Sequence, residues 1–205
     1  MIEMRDYSRL DGFMESLKID VYEEPDNQKN IIKDSLEYVK PFIKNGDTVL
    51  DVGCGYCLAL EKFKEMGANP IGITLSENEA KKACFMNYDV RVMDMNFMDF
   101  EDNYFDFIWA RHSLEHSIFP FFTLNELHRV LKPNKYAYFE LPGIDTQLIH
   151  EANPNHYSVL SINMWGNLMD RVGFKDLAIS SLNLTVDVAD RKLDDEYYRF
   201  VGVKK

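Results

Sequence analysis

From Thr48 onward, apolar and polar positions follow two alternating patterns. Short apolar runs, each bounded by glycine, proline or charged residues, predict strands at 48–53, 70–74, 89–94, 104–111 and 135–142. Longer stretches place their apolar residues along one face of a helix, which predicts helices at 57–66, 76–85, 121–131 and 161–172. Strands and helices therefore alternate over most of the chain.

This alternation predicts the fold class. Strands joined by helices form a parallel sheet covered on both faces, because right-handed crossovers place the helices there. Two further strands, near 175–184 and 197–203, follow one another without a clear helix between them, which indicates an antiparallel edge. We expect an α/β fold with a Rossmann-like, doubly wound sheet of seven mostly parallel strands and an antiparallel edge strand.

The N-terminal segment does not follow this pattern. Residues 27–43 look helical with a stop at Pro41, and residues 1–24 suggest one more helix and a loop. We expect residues 1–45 to form a helical cap over the ligand edge of the sheet, in one compact unit with a ligand-binding domain at 46–205.

Composition and charge narrow the class of protein. With 205 residues and 46% hydrophobic content, the chain is long enough for one packed domain. The formal net charge of −11 disfavours a nucleic-acid partner, since phosphate contacts supply most nucleic-acid affinity. The first residues lack the apolar core of a signal peptide, no apolar run is long enough to cross a bilayer, and three cysteines make no disulfide framework. We therefore expect a reducing, cytoplasmic setting, with no nucleic-acid partner and no membrane partner.

The segment DVGCGYC follows the first predicted strand and allows two interpretations. Cys54 and Cys57 have the Cys-x-x-Cys spacing of a dithiol redox site or of half a zinc site. Gly53 and Gly55 suit a strand–helix turn whose backbone approaches a ligand closely. Within the second interpretation, NAD and FAD are disfavoured because Leu58 occupies the place where a dinucleotide loop needs a small residue.

The same segment resembles motif I of the class I S-adenosylmethionine (SAM) dependent methyltransferases, D/E-x-G-x-G-x-G. The resemblance extends over roughly residues 47–174. GITLSENE is similar to the second-strand region of the cyclopropane-synthase-like branch. Three further segments resemble the third to fifth strands and the late helix of the common small-molecule branch, at 92–117, 126–142 and 156–174. Four pieces in the right order favour this family over a redox or metal site, and imply SAM as the cofactor of the ligand-binding domain.

The resemblance also implies which residues hold the methionine part of SAM. The backbone of Gly53, Cys54 and Gly55 would approach it. Asp51 would shape this loop or hold the ammonium group, and the carbonyl of Arg111, at the end of the fourth strand, would accept from the same ammonium.

The nucleoside part would be held by residues after the second and third strands. By resemblance, Thr74, Leu75 and Glu79 would face the ribose. Asp94 would accept from the adenine amino group, with the backbone amide of Met95 at the ring.

Two positions depart from the family pattern. Cys57 replaces the third glycine, and because a thiol is small we expect the loop to form with tighter helix–strand packing. Thr74 stands where most families place the acidic residue that binds both ribose hydroxyls. In the cyclopropane-synthase-like branch, which also has threonine there, a nearby glutamine takes over, and Glu79 occupies that place here. Glu79 is equally well explained as the capping-box partner of Ser76.

Three histidines are the candidate catalytic residues. HSLEH places His112 and His116 one helical turn apart, on one face if the segment is helical, and His156 lies in the loop after the fifth strand. Imidazole titrates near neutral pH, so each could serve as a general base. Alternatively, HSLEH only shapes the floor of the pocket. Without a third ligand we expect no metal, and we expect His128 and His150 to be polar surface residues.

The acceptor is expected to be a small molecule. The segment after the fourth strand, ARHS, lacks the Asn/Asp-Pro-Pro-aromatic run of enzymes that methylate base amino groups, and the region has no Pro-Cys nucleophile of the cytosine-C5 type. We therefore expect methyl transfer to O, N or C of a small molecule. The alternatives are a catalytically silent SAM-binding sensor or scaffold and a Cys-x-x-Cys dithiol redox protein.

Overall fold

Seven strands and six α-helices make up the described part of the chain, which is residues 8–16, 29–188 and 191–205 of a computed structural model. The strands are β1 (Thr48–Val52), β2 (Asn69–Thr74), β3 (Asp89–Val92), β4 (Phe105–Arg111), β5 (Leu131–Pro142), β6 (Phe174–Val188) and β7 (Arg191–Lys204). The helices are α1 (Ser8–Ser16), α2 (Lys29–Val39), α3 (Leu58–Glu65), α4 (Glu77–Phe85), α5 (Pro120–Val130) and α6 (Ile162–Val172). Short 3-10 turns lie at Lys40–Phe42, Leu114–His116 and His150–Ala152.

All seven strands lie in one sheet, in the order β3-β2-β1-β4-β5-β7-β6. β1 to β5 are parallel, and β7 runs antiparallel to both of its neighbours, β5 and β6. The predicted fold is confirmed, with β7 as the reversed strand. From β1 the chain passes outward to β2 and β3, and it then crosses back to β4 on the other side of β1. At such a switch point the carboxyl ends of the strands leave a crevice in which α/β proteins bind their ligands.

The side chains of β4 show how the two faces of the sheet are covered. Ile108 and Ala110 are buried in a core cluster with residues of α5 and α6, whereas Phe107 and Trp109 are buried in a second cluster with residues of α2 and α3. Successive side chains of a strand point to opposite faces. The continuous apolar run FIWA is therefore what a strand covered on both sides requires.

The N-terminal helices contact this sheet at two places. α2 ends at Val39, which is fully buried, and Pro41 lies inside the 3-10 turn that follows, close to the predicted stop. α1 reaches the rest of the molecule through Phe13, whose ring centroid lies 6.4 Å from that of Phe119. The remainder of the predicted N-terminal helix and loop lies outside the described residues. The division into a cap and a ligand-binding domain stays a prediction.

The chain closes with a hairpin longer than the two strands predicted from the sequence. β6 has 15 residues and β7 has 14. In β6 the side chains after Phe174 are half-buried or exposed. The apolar pattern therefore predicts only the part of this strand near 175–184. No helix in the described ranges is long and apolar enough to cross a bilayer.

Candidate functional site

The loop after β1 brings three residues into left-handed backbone conformations. Gly53 has a φ of 71°, Gly55 of 45° and Cys57 of 64°. The amides of Gly53 and Cys54 both donate to the carbonyl of Ile73 at 3.0 Å, which fixes the loop to the end of β2. Glycine adopts positive φ at little steric cost. The path of the backbone therefore requires the two glycines, as the ligand-loop interpretation predicts.

Cys57, at the third glycine position, is the N-cap of α3. Its amide donates to the carbonyl of Cys54 at 2.8 Å, and its own carbonyl accepts from the amide of Glu61 at 3.1 Å. A residue with a Cβ costs about 1–2 kcal/mol in the left-handed conformation. The position therefore favours glycine for its conformational freedom as well as for its small size. The sequence indicates only the size requirement, since the positive φ is visible only in the structure.

The two thiols of the loop lie in the protein interior. Cys54 and Cys57 are buried in a small cluster with Leu60 and Ala83. A hydrogen bond with Cys57, burial and the nearby Asp51 carboxylate raise the pKa of Cys54 well above its usual range. A dithiol redox site needs the opposite, a lowered thiol pKa in an accessible place. The buried thiols therefore favour the ligand-loop interpretation.

Thr74, Ser76 and Glu79 form a hydrogen-bonded group where β2 leads into α4. The Thr74 hydroxyl donates to Glu79 Oε2 at 2.6 Å and accepts from the amide of Ser76 at 3.0 Å. Ser76 caps α4 by accepting from the amide of Glu79 at 3.2 Å. The predicted capping box is therefore only half formed, because the Glu79 carboxylate bonds to Thr74 instead of to the Ser76 amide. Thr74 and Glu79 are both buried, so the carboxylate is held in place at the carboxyl end of β2.

Asp94 follows β3 at the same edge of the sheet. Its Oδ1 accepts two hydrogen bonds of 2.8 Å from the amide and the side chain of Asn96, which fixes its orientation. Met95 packs against the larger core cluster, whereas Leu75, after β2, is exposed. The residues predicted to face the ribose and adenine therefore lie at the ends of two adjacent strands, beside the glycine loop.

Glu140, in β5, is the centre of a group of charged residues at the end of β4. Its fully buried carboxylate accepts from Arg111 Nε at 2.7 Å and from Arg199 Nε at 3.1 Å. The hydroxyls of Ser35 and Tyr138 also donate to it. Burial alone would raise the pKa of Glu140, but a neighbouring histidine and Arg111 outweigh it and lower that pKa far below its usual range. Glu140 is therefore held ionised.

His112 lies between two buried carboxylates. Its Nδ1 is 3.6 Å from Glu115 Oε1, its Nε2 is 3.5 Å from Glu140 Oε1, and its ring centroid is 4.5 Å from that of Tyr197. Burial and the charge of Arg111 oppose protonation, but the two carboxylates outweigh them and raise the pKa of His112.

HSLEH does not form the helical turn on which the predicted pairing of His112 and His116 depended. His112 is left-handed, with a φ of 50°, and only Leu114–His116 form a 3-10 turn. A left-handed residue cannot continue an α-helix, so the spacing in the sequence does not describe the contact. The two histidines instead both lie near the carboxylate of Glu115, His112 Nδ1 at 3.6 Å from Oε1 and a ring nitrogen of His116 within 4.8 Å of a carboxylate oxygen.

The loop after β5 places His156 beside His116, with ring centroids 4.9 Å apart. His116 Nδ1 lies 2.8 Å from the carbonyl of Asn155, and His156 Nδ1 lies 3.0 Å from that of His150. Burial, with the nearby His116 and His150, lowers the pKa of His156 although Glu115 opposes this. The structure thus brings together all three histidines predicted as catalytic candidates.

His150, predicted to be a surface residue, belongs to the same group. Its Nε2 is 2.9 Å from Oδ1 of Asp195, a buried carboxylate of β7, and its ring lies 5.9 Å from that of His156. That prediction is wrong, because no local pattern could show that β7 brings a carboxylate to this loop. We call His112, His116, His150 and His156 the histidine cluster.

Three comparisons with known proteins bear on this arrangement. Residues 50–139 match the family model described as "Methyltransferase domain". The sterol 24-C-methyltransferase ERG6 of Saccharomyces cerevisiae is 31% identical over 183 residues, which cover 80% of this chain and 47% of that protein. The demethylmenaquinone methyltransferase of Staphylococcus carnosus is 32% identical over 103 residues, covering 46% of this chain and 43% of that protein. The chain spans about half the length of the curated relatives it matches.

A solved SAM-dependent methyltransferase from Archaeoglobus fulgidus has the same fold, with a TM-score of 0.73 at 20% identity over 86% of this chain and 94% of that one. Residues 50–139 are a methyltransferase domain, and the chain has the fold of a SAM-dependent methyltransferase. The predicted family is confirmed. In this methyltransferase fold, the glycine loop, Glu79 after β2 and Asp94 after β3 lie on one side of the switch point, and the histidine cluster lies on the other.

Sequence reasoning missed the acidic partners in the methyltransferase domain. Three buried carboxylates lie beside basic side chains: Glu115 faces His112, Glu140 pairs with Arg111, and Asp195 pairs with His150. One signal was available for Glu140, since it follows directly on the apolar run YAYF and acidic residues are almost never fully buried unless paired. Its partner Arg199, 59 residues later, had no such signal.

Proposed function

We propose that this methyltransferase domain binds SAM in the crevice at the carboxyl ends of β1 and β4 and transfers its methyl group to a small-molecule acceptor. The left-handed glycine loop carries the proposal. It places bare backbone at the switch point of the sheet, where a ligand can approach closely. The methyltransferase relatives support the same reaction.

The loop would hold the methionine part of SAM. The amides of Gly53 and Cys54 are already bonded to β2, whereas Gly55 has open space where a Cβ would project. Gly55 therefore offers the closest approach to a ligand. Asp51, which is buried at the end of β1, would shape the loop or hold the ammonium group, and the carbonyl of Arg111 would accept from that ammonium.

The nucleoside would be held at the ends of β2 and β3. Glu79 receives one hydrogen bond from Thr74 through Oε2, and we assign to its carboxylate the ribose hydroxyls. Leu75 would face the same sugar. Asp94 would accept from the adenine amino group, and the amide of Met95 would lie at the ring.

The histidine cluster would lie on the acceptor side. Methyl transfer from a sulfonium is an in-line displacement, so catalysis depends on placing a lone pair of the acceptor on the methyl carbon. A lowered pKa keeps His156 neutral near pH 7, as a general base requires. We assign contact with the acceptor to His116 and His156, and a positioning role to His112, which lies between two carboxylates.

Titration calorimetry with SAM tests the cofactor site. Glu79→Ala is expected to weaken SAM binding about tenfold or more, because hydrogen bonds to a charged group contribute about 1.5–3 kcal/mol. Glu77→Ala is the matched control, since Glu77 is exposed on the same helix and is paired with Lys81. No binding of SAM by the wild type, or equal losses in the two variants, would contradict the proposal.

Turnover is measured as formation of S-adenosylhomocysteine with a panel of acceptors. The panel begins with sterols and demethylmenaquinone, because these are the acceptors named for the relatives. Turnover with any acceptor supports the enzyme. Binding of SAM without turnover across the panel would favour a silent sensor or scaffold.

A cytoplasmic location and the lack of nucleic-acid and membrane partners stay predictions. The net charge of −11 supports the lack of a nucleic-acid partner, because an acidic protein is repelled by phosphate groups. Binding to a fluorescent duplex at physiological salt, measured by anisotropy, would overturn the prediction on nucleic acids.

A further inference from the structure

Glu115, His116 and His156 converge on one point at the end of β4. Each offers one ligand atom, and these three atoms all lie within 4.8 Å of one another. Glu115 is buried, whereas the two histidines are partly accessible, so a small ion could reach the site from solvent. The convergence depends on tertiary structure, because His156 comes from the loop after β5.

The two imidazoles are oriented as metal ligands are. His116 Nδ1 faces the carbonyl of Asn155 at 2.8 Å, and His156 Nδ1 faces that of His150 at 3.0 Å. A carbonyl can only accept, so each Nδ1 carries the proton of the neutral ring and each Nε2 has the lone pair. Metal-binding histidines typically donate their other N–H to a backbone carbonyl or a carboxylate in this way.

The carboxylate of Glu115 supplies a second, independent observation. Its side chain is 1% exposed, Oε1 faces His112 Nδ1 at 3.6 Å, and Oε2 is buried with no hydrogen-bond partner among the described residues. A buried oxygen left unsatisfied costs free energy, and native proteins rarely leave one so. A cation beside Oε2 would remove that cost.

We propose that Glu115, His116 and His156 bind a divalent transition-metal ion, with Zn²⁺ as the reference ion. Two imidazole nitrogens and one carboxylate oxygen are a common ligand set for Zn²⁺ and for non-haem Fe²⁺. Mg²⁺ and Ca²⁺ prefer oxygen ligands and fit less well. His112 is a positioning residue here, because it holds the other oxygen of Glu115.

The site also suggests how an acceptor is activated, an extension that rests on the proposed methyl transfer and in which His116 and His156 act through the bound ion, so that neither serves as the general base. Three protein ligands leave at least one coordination position open. An acceptor hydroxyl bound there would lose its proton more readily, because a bound cation lowers the pKa of an oxygen ligand. The acceptor class is then an oxygen donor such as an alcohol, phenol or enol, whose proton passes to solvent. The methyl group is transferred to its oxygen, or to the conjugated carbon of a phenol or enol, as the S–CH3 bond breaks and S-adenosylhomocysteine leaves.

Calorimetric titration of the chelator-treated 205-residue chain with Zn²⁺ tests the site. The exposed thiol of Cys84 could bind zinc by itself, so all titrations use a Cys84→Ser background. His116→Ala, His156→Ala and Glu115→Gln are each expected to weaken Zn²⁺ binding more than about tenfold, since even an outer hydrogen-bond partner contributes about 10–100-fold. His128→Gln is the matched control and should bind Zn²⁺ as the background protein does. Its histidine lies in α5, with its ring against Phe174.

The outcomes separate the metal site from methyl transfer. Zn²⁺ is titrated without SAM, and SAM is titrated without Zn²⁺, so either can fail while the other holds. No one-to-one Zn²⁺ binding, or unchanged affinity in His116→Ala and His156→Ala, would overturn the metal site. If these variants do not fold, the site is tested by the imidazole ¹⁵N resonances of the Cys84→Ser protein, recorded with and without Zn²⁺. The ¹⁵N resonances of His116 and His156 should shift on addition of Zn²⁺, and the resonance of His128 should not. Unshifted resonances of His116 and His156 would overturn the metal site.

Discussion

Ser35, in α2, donates a hydrogen bond of 2.5 Å to the carboxylate of Glu140, in β5, across 105 residues of chain. Both residues are fully buried. Arg199 donates to both of them, to the Ser35 hydroxyl at 3.0 Å and to the Glu140 carboxylate at 3.1 Å. The helix that precedes the sheet is therefore attached to the charged group at the end of β4. The same carboxylate faces His112 of the histidine cluster, so α2 and the proposed acceptor side share one buried anion.

Ser35→Ala is expected to destabilise the protein by about 1.5–3 kcal/mol, because the variant removes a buried hydrogen bond to a charged group. The measurement is urea unfolding followed by circular dichroism. Ser181→Ala, at an exposed position of β6, is the control and should stay within about 0.5 kcal/mol of wild type. Equal effects of the two substitutions would show that α2 is not held through Glu140.

Glu140→Gln should destabilise the protein by about 3–5 kcal/mol near neutral pH, because it leaves Arg111 and Arg199 buried without their counter-charge. The pKa of Glu140 is lowered in the folded state, so its contribution is fully present above the ordinary value of 4.5 and is lost as the pH falls below it. The difference from wild type should therefore narrow in acid.

Unfolding curves of Glu140→Gln between pH 3 and pH 7 measure this difference. Glu77→Gln, which alters the exposed pair with Lys81, should show a small difference at every pH. A difference for Glu140→Gln that is independent of pH would mean that the residue acts through its shape and not through its charge.

The inner strands β1, β2 and β4 were predictable because each is covered on both faces and therefore reads as a nearly continuous apolar run. The glycine loop was predictable because positive φ requires glycine at fixed positions after the first strand. The glycine loop, which belongs to the proposed cofactor side, could thus be located from local sequence. The sequence left open whether Glu79 faces the ribose or closes the capping box with Ser76. Its carboxylate bonds to Thr74, which spacing alone does not show.

The acceptor side was less predictable because its contacts join distant segments. His150 meets Asp195, and Glu140 meets Ser35 and Arg199, only after β7 has inserted beside β5. The spacing in HSLEH predicts a helical turn with His112 and His116 on one face, and that turn does not form because His112 is left-handed. Its histidines are nevertheless brought together by the carboxylate between them, which the spacing did not identify as a partner.

Gly53→Ala should destabilise the protein by about 1–2 kcal/mol. Its φ of 71° is unfavourable for a residue with a Cβ, and that Cβ would lie only 3.2 Å from the Cβ of Ser113. Gly12→Ala is the matched control, since Gly12 is in the middle of α1 with nothing within 4 Å of the new methyl group. Alanine is the better helix former, so that substitution should stabilise slightly or have no effect. Thermal unfolding measures both, and a neutral Gly53→Ala would contradict the left-handed loop.

Alkylation with iodoacetamide should separate the three cysteines by their environment. Cys84 is exposed, whereas Cys54 and Cys57 are buried and the pKa of Cys54 is raised, so little thiolate forms in the loop. Because the thiolate is the nucleophile, Cys84 should be labelled first and the loop cysteines only after unfolding in urea. Peptide mass spectrometry follows the label, and Cys84→Ser should leave the native protein almost unlabelled. Labelling of Cys54 as fast as Cys84 in the native protein would restore the dithiol interpretation, because it would require an accessible thiolate at the loop.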